Sequence, residues 1–175
     1  MSSYLKSVIK QFEYYKSLGD RSFEFLNDET IHSNFNQQSN NIAIIVKHMV
    51  GNMLSRWTNF FEEDGEKEWR HRDREFEDSY RSKHEMISAW QKGWDCLFNA
   101  ITPLTVEDLD RIIYIRREGH TVTEAINRQM MHYAYHVGQI VYATKIIAGD
   151  HWKSLSIPKG KSQAFNQDKF NKKKS

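Results

Sequence analysis

Apolar residues recur at three- and four-residue steps in four stretches of the chain, a spacing typical of amphipathic helices. The pattern predicts a first helix over about residues 3–26, a second over 42–61, a third over 80–100 and a fourth over 122–148. The second stretch is apolar on nearly every face, as expected of a helix enclosed by others. Thr121 and Glu124 have the capping-box spacing at the start of the fourth helix, and Gly149 lies at its expected C-cap.

The segments between these helices are polar or short. Residues 62–79 are densely charged and predict a solvated connection with little regular structure. Residues 111–116 are β-branched and aromatic, which predicts a strand-like piece that ends near Gly119, as a small hairpin or an extended crossing. We therefore expect an all-α fold, a four-helix bundle over residues 1–156, with a long crossover after the second helix. Residues 157–175 predict a flexible, disordered lysine-rich tail.

Composition narrows the class of protein. A length of 175 residues suits one domain, and only 8 Gly and 2 Pro interrupt it, which favours helices over many short strands. The single cysteine, Cys96, excludes an intramolecular disulfide framework and a cysteine-rich zinc module. Any metal ion would therefore be held by histidine or carboxylate ligands.

The charge is unevenly distributed. The net charge is +2, but the tail carries six lysines against Asp168, which leaves 19 basic and 22 acidic residues in the body. An acidic body disfavours a nucleic-acid-binding surface. Residues 1–10 lack a signal-peptide core, and the longest apolar run, residues 42–46, is far shorter than a membrane span. We expect a cytoplasmic protein without nucleic-acid or membrane partners.

Two histidines of the fourth predicted helix are spaced for joint binding. His132 and His136 are four positions apart, so both rings project from one face of the helix and can share a metal ion. Tyr133 occupies the position where the His-Glu-x-x-His motif has its glutamate, so the zinc-protease mechanism is not supported. Since apolar residues flank the pair, both rings are expected to point into the bundle.

A third interior histidine completes the candidate set. His48 interrupts the apolar second helix, whereas His32, His71, His84 and His151 lie in polar surroundings. His48, His132 and His136 are our candidate ligands for a divalent zinc, nickel, iron or manganese ion with open positions for substrate. The alternative is that these are core histidines, hydrogen-bonded to tyrosines or backbone carbonyls and free of metal.

Three segments carry a resemblance to a known superfamily. They are HYAYHVGQI at residues 132–140, GHTV at 119–122 and IVKHM at 45–49. Over about residues 3–150 the chain resembles the DinB-like (YfiT-like) superfamily of metal-binding four-helix-bundle proteins, and in particular its subgroup of uncharacterised bacterial proteins. The resemblance implies up-down-down-up topology, a homodimer, and a divalent metal ion on His48, His132 and His136.

The resemblance also limits what is implied about function. Some members of the superfamily transfer low-molecular-weight thiols and others have no assigned reaction. Our hypothesis is a metal-dependent thiol transferase or hydrolase that acts on a small electrophilic substrate. Zinc or nickel is the first choice of metal ion, and a small thiol is the candidate co-substrate. The alternative is a non-enzymatic metal-binding or stress-associated protein, and no catalytic residue is assigned.

Neighbours of the two histidines have two interpretations each. Gln139 is placed to hydrogen-bond a ligand or metal-bound water, or to pack between helices. Tyr133 and Tyr135 are candidate proton donors at a pocket, or core and interface residues. Gly138 suggests a close approach of another helix.

Overall fold

The computed structural model describes residues 2–171 of the chain. The main elements are α1 Ser3–Phe23, α2 Ile42–Trp57, α3 Lys83–Ile101, β1 Ile112–Ile115, β2 Glu118–Thr121, α4 Val122–Ala148 and α5 Ser162–Asn171. Short 3-10 helices lie at Thr30–His32, Arg72–Phe76 and Gly149–His151. The four predicted helices are therefore present, and the 111–119 segment is a hairpin rather than an extended crossing.

Each long helix begins at a polar side chain that satisfies a free backbone N–H group. The caps of α1, α2, α3 and α4 are Ser2, Asn41, Ser82 and Thr121. At Thr121 both halves of the predicted capping box are formed with Glu124. These caps determine where the helices start.

Several predicted helix ends were wrong by a few residues. The first helix ends at Phe23 instead of residue 26, and the third begins at Lys83 because Ser82 caps it. The second ends at Trp57 instead of residue 61, because Asn59 adopts a left-handed backbone with φ of 45°. Apolar periodicity continues past each of these ends, so it could not locate them.

All four long helices contribute to a single hydrophobic core. The packing is most extensive between α2 and α3 and between α1 and α4. Tyr133 of α4 is fully buried, accepts a hydrogen bond from Trp57 Nε1 at 3.1 Å and donates one to Asn52 Oδ1 at 3.0 Å. This tyrosine therefore joins the middle of α4 to the C-terminal half of α2.

The connection between α2 and α3 is more ordered than predicted. It was expected to be solvated, but Gly65, Lys67 and Glu75 are buried, and the 3-10 helix Arg72–Phe76 packs on α2. Ser55 Oγ and Arg56 of α2 both donate to the carbonyl of Gly65. Several charges of this segment are paired within it or with α2, as Glu75 is with Arg70 and Glu66 with Arg56, which is why a charged segment lies against the body.

The C-terminal segment also differs from the prediction. Residues 157–161 have no regular structure, but α5 follows over Ser162–Asn171 where a disordered tail was expected. Every residue of α5 is exposed, so no buried side chain attaches it to the core. Lys172, Lys173 and Lys174 of the predicted tail lie outside the described residues. Within residues 2–171, no helix has the length and hydrophobicity needed to cross a bilayer.

Candidate metal centre

The structure brings the three candidate histidines together between α2 and α4. His132 Nε2 lies 3.4 Å from His48 Nε2 and 3.1 Å from His136 Nε2. One nitrogen from each ring lies within 4.8 Å of the other two. The rings of His132 and His136 share a face of α4 because they are one turn apart, and α2 supplies His48 from the opposite side.

Hydrogen bonds at the far side of two rings determine which nitrogen faces the centre. His48 Nδ1 donates to Glu75 Oε2 at 2.9 Å, and His136 Nδ1 donates to Gln139 Oε1 at 2.8 Å. Both acceptors are oxygens, so Nδ1 must carry the proton in each ring. The Nε2 lone pairs of His48 and His136 therefore point at the centre, as they do when a second residue orients a metal ligand.

Glu75 is a buried carboxylate shared by two partners. Arg70 donates through Nε to Oε1 at 2.7 Å and through a terminal nitrogen, at 3.0 Å, to the same Oε2 that accepts from His48. Burial alone would raise the pKa of Glu75, but the hydrogen bonds from His48 and Arg70 outweigh it and lower the pKa. The carboxylate is thus held charged beside α2. Gly51 makes this possible, because a Cβ at that position would clash with the Glu75 side chain.

The pKa values of His132 and His136 are lowered, which favours the neutral form of these two rings that binds metal ions. Burial, and then the neighbouring His136 and His48 rings, lower the pKa of His132 to about 3. Burial and the His48 ring also lower the pKa of His136, while the hydrogen bond that His136 donates to Gln139 opposes them. Phe76 stacks on the His48 ring with centroids 5.1 Å apart and covers one side of the centre.

The donor set fits a divalent metal ion. Nitrogen ligands lie about 2.0–2.1 Å from zinc, so two of them in a tetrahedral site are roughly 3.3–3.4 Å apart. The distances from His132 Nε2 to the Nε2 atoms of His136 and His48, 3.1 and 3.4 Å, are of this size. A hydrogen-bonded core network fits less well, because one proton on His132 Nε2 can be donated to only one of the two lone pairs that face it.

One side of the centre opens on a small cavity. His132 lines a space of about 170 Å³ together with polar and basic side chains, which are Asn52, Arg56, Arg70, Arg72, Arg116, Arg128 and Gln129. Structural zinc sites are closed by four protein ligands, whereas catalytic sites keep a position open. Three candidate ligands beside a cavity match the second arrangement more closely than the first.

The remaining histidines lie elsewhere. His32 pairs with Asp78 at 2.8 Å, and His71, His84 and His151 are exposed. His120 is half-buried on β2 near Glu118 and does not join the cluster. The sequence therefore separated the three clustered histidines from the four in polar surroundings.

Two residues at the centre were missed by the sequence reasoning. Glu75 and Arg70 lie in the charged segment that was expected to be solvated. Acidic and basic residues fill that segment, and nothing in their spacing distinguishes the two that become buried. Only the way the segment packs on α2 identifies them.

The structure also decides among the alternatives for the neighbours of the histidines. Gln139 orients His136 instead of facing the centre itself, and its Nε2 donates to Tyr135 Oη at 3.1 Å. Tyr133 is a core residue whose pKa is raised by burial. Tyr135 is exposed, so neither tyrosine faces the centre as a proton donor.

Comparison with known proteins agrees with this geometry at the level of the family. Residues 1–161 match a family described as "Protein of unknown function (DUF1572)". The chain belongs to this family. DUF1572 is part of the DinB-like clan, so the resemblance found in the sequence is supported at that coarser level. No curated protein and no solved structure matches the chain.

In this DUF1572 protein the Glu75 carboxylate should be important for stability. Glu75→Ala leaves the charge of Arg70 and the Nδ1 of His48 without their buried partner, so we expect the free energy of unfolding to fall by about 3–5 kcal/mol. Urea denaturation of the metal-free protein at neutral pH measures it. Glu77→Ala, at an exposed position two residues later, is the control and should change it by less than about 0.5 kcal/mol. Equal losses in both variants would contradict this role.

Proposed function

We propose that this protein binds a divalent metal ion at His48, His132 and His136 and acts as a metal-dependent thiol transferase or hydrolase on a small electrophilic substrate. The observation that carries the proposal is the convergence of three Nε2 atoms beside a cavity that His132 lines. Imidazole ligands suit zinc and nickel first, and iron or manganese as well.

The chemistry is divided between the ion and the chain. When bound, a divalent ion supplies the Lewis acidity that lowers the pKa of a thiol or water to near neutral. Glu75 and Gln139 keep two imidazoles oriented, and burial lowers the pKa values of His132 and His136. Phe76 shields the His48 ring, while the cavity beside His132 admits the substrate.

The thiol of the proposed transfer belongs to a small molecule. Cys96 is the only cysteine of the chain, and it lies on α3 next to Thr58, with Sγ 3.5 Å from the threonine oxygen. It lines a different cavity, with Trp57 and Pro103, and not the one beside His132. A covalent intermediate on this cysteine is therefore not part of the proposal.

The contacts also support the finer fold assignment, a four-helix bundle of up-down-down-up order. Tyr4 near the start of α1 bonds Asn127 near the start of α4, so these helices run the same way. Trp57 at the end of α2 bonds Tyr133 in the first half of α4, as expected of antiparallel helices. Gly93 of α3 lies against Val50 of α2, and Cys96 lies against Thr58 just after α2, so α3 follows the direction of α2.

A non-enzymatic function is the alternative, and one observation favours it. The ligands come from two helices, α2 and α4, so an ion between them would link the helices and stabilise the fold. A protein of this kind would lose thermal stability on chelation and show no turnover.

Metal content tests the first part of the proposal. We expect protein purified without a polyhistidine tag to hold about one equivalent of a divalent metal ion by elemental analysis. His132→Ala removes the central ligand and should lose most of it, whereas His84→Ala, at an exposed histidine, should retain it. No stoichiometric metal in the unaltered protein would favour the metal-free core network instead.

Turnover tests the second part. Metal-loaded protein should accelerate the reaction of a small thiol with an activated aryl chloride, or the hydrolysis of a small ester, followed by absorbance. Loss of a residue behind a ligand costs about 10–100-fold, so loss of the ligand itself in His132→Ala should cost at least about a hundredfold. His84→Ala should stay active. Equal activity in His132→Ala contradicts the assignment, and bound metal without turnover supports the non-enzymatic alternative.

We further propose that a second copy of the chain packs on α4 to form a homodimer. Met131, Tyr135, Tyr142 and Ile146 form one stripe along this helix, each between 48% and 69% exposed. Gly138 lies on the same stripe, and a Cβ there would meet no atom within 4 Å, so the backbone is open to close approach. The stripe continues to the centre through Tyr135 and Gln139. Exposed apolar patches of this kind mark contact surfaces.

Light scattering after gel filtration tests the dimer. We expect a dimer for the unaltered chain and a monomer for the double variant Tyr142→Glu with Ile146→Glu, because two buried charges would face each other across a symmetric interface. Val106→Glu, at an exposed apolar residue between α3 and β1, is the control and should remain dimeric. A monomeric unaltered chain would overturn the proposal.

A further inference from the structure

The cavity beside His132 is lined by an unusual concentration of arginines. Five guanidinium groups border a space of about 170 Å³, and they belong to Arg56, Arg70, Arg72, Arg116 and Arg128. They come from α2, from the crossover between α2 and α3, from the hairpin and from α4. We will call this space the arginine pocket. No local sequence pattern brings these residues together, so the pocket exists only in the folded chain.

The carboxylates near the arginine pocket do not balance these charges. Glu66 pairs with Arg56 at 3.2 Å, with Arg116 at 3.0 Å and more distantly with Arg70 at 3.6 Å. Glu75 pairs with Arg70 as well. Two carboxylates thus serve three of the arginines.

The other two arginines have no acidic partner. Among the described residues, Arg72 and Arg128 form no salt bridge, and Arg72 lies 6.0 Å from the centre of the Phe76 ring. A third nearby carboxylate, Asp64, accepts hydrogen bonds from the backbone N–H groups of Arg116 and Arg117. The pocket therefore keeps a positive surplus, and the side chains that carry it are free to bind an anion.

Two buried polar atoms at the pocket also lack partners. Arg56 is 5% exposed and Gln129 3% exposed, yet within residues 2–171 neither Arg56 Nε nor Gln129 Oε1 has a hydrogen-bond partner. Buried polar atoms are normally satisfied, and an orphaned one calls for an explanation such as a missing ligand. An anion that also carries an O–H or N–H group would satisfy both the donor and the acceptor.

The volume of the pocket sets the size of the occupant. An apolar cavity of about 150 Å³ holds one benzene molecule, so a pocket of about 170 Å³ holds one charged group and a few further heavy atoms. Guanidinium groups bind oxyanions such as carboxylate and phosphate through two parallel hydrogen bonds. Because His132 lines the same space, the rest of such a molecule would lie next to the histidine centre.

We infer that the arginine pocket binds the oxyanion group of a small substrate or co-substrate, a carboxylate or a phosphate, and so places its reactive end at the histidine centre. The placement of the reactive end depends on the proposed function, whereas the anion site is inferred from the arginines alone. Arg128 and Arg72 hold the anionic group, while Arg56 and Arg70 are fixed by their carboxylates and supply the positive field. The pocket thereby selects negatively charged substrates.

Binding of simple anions to the metal-free protein tests the inference separately from any metal chemistry. Inorganic phosphate and malonate are titrated calorimetrically at constant ionic strength, with uncharged malonamide as the comparison. We expect saturable binding of at least one of the two anions and none of malonamide. Tighter binding of phosphate assigns a phosphate-bearing substrate, and tighter binding of malonate assigns a carboxylate.

Arginine variants locate the site. Arg128→Gln removes a charge-assisted hydrogen bond to the anion, so it should weaken the binding about tenfold or more. Arg72→Gln is a second variant at another exposed position and should act in the same direction. Arg81→Gln removes the same charge at an exposed residue outside the pocket and should leave the affinity unchanged. Circular dichroism confirms that each variant is folded.

The outcomes separate the two proposals. No anion binding, or an equal loss in Arg128→Gln and Arg81→Gln, overturns the arginine pocket even if the protein holds a metal ion. Anion binding that Arg128→Gln weakens, in a protein that never holds a metal ion, supports the pocket and overturns the metal-dependent function. Binding of both supports both.

Discussion

Three imidazole rings share one partly buried space, and nitrogen lone pairs that face each other there repel unless something lies between them. The residues around the centre determine how this repulsion is relieved. Glu75 and Gln139 accept hydrogen bonds from Nδ1 of His48 and His136, which leaves the Nε2 lone pairs of these two rings directed inward. A single proton on His132 can satisfy only one of them. A divalent cation satisfies all three rings at once, and this is the physical reason for preferring a metal ion to a hydrogen-bonded core.

This arrangement requires a buried carboxylate, Glu75, and nearby arginines offset the cost of burying its charge. Glu75 is neutralised by Arg70, and Arg70 also lies near Glu66, which in turn holds Arg56 and Arg116. One chain of ion pairs therefore runs from the histidine centre to the arginine pocket. The group that orients a metal ligand and the groups that surround the proposed anion belong to the same network.

This network explains why the crossover between α2 and α3 is ordered despite its charge. Its acidic residues pair with arginines of α2, of the crossover itself and of the hairpin, and its backbone accepts hydrogen bonds from Ser55 and Arg56. The same segment borders both the histidine cluster and the arginine pocket, since it supplies Glu75, Arg70 and Arg72.

The sequence by itself determined the four long helices, the capping box at Thr121 and the three clustered histidines, because each depends on local spacing. A helix repeats every 3.6 residues, so His132 and His136 must share a face, and an isolated His48 in an apolar helix must face the interior. Tertiary structure alone decided the role of Glu75 and the gathering of five arginines. Those contacts join residues far apart in the chain, and among many charged residues in a connection only packing selects the ones that become buried. Helix ends such as Trp57 and the helix over Ser162–Asn171 also escaped the sequence reasoning, because hydrophobic periodicity does not report a left-handed turn or a helix with no buried face.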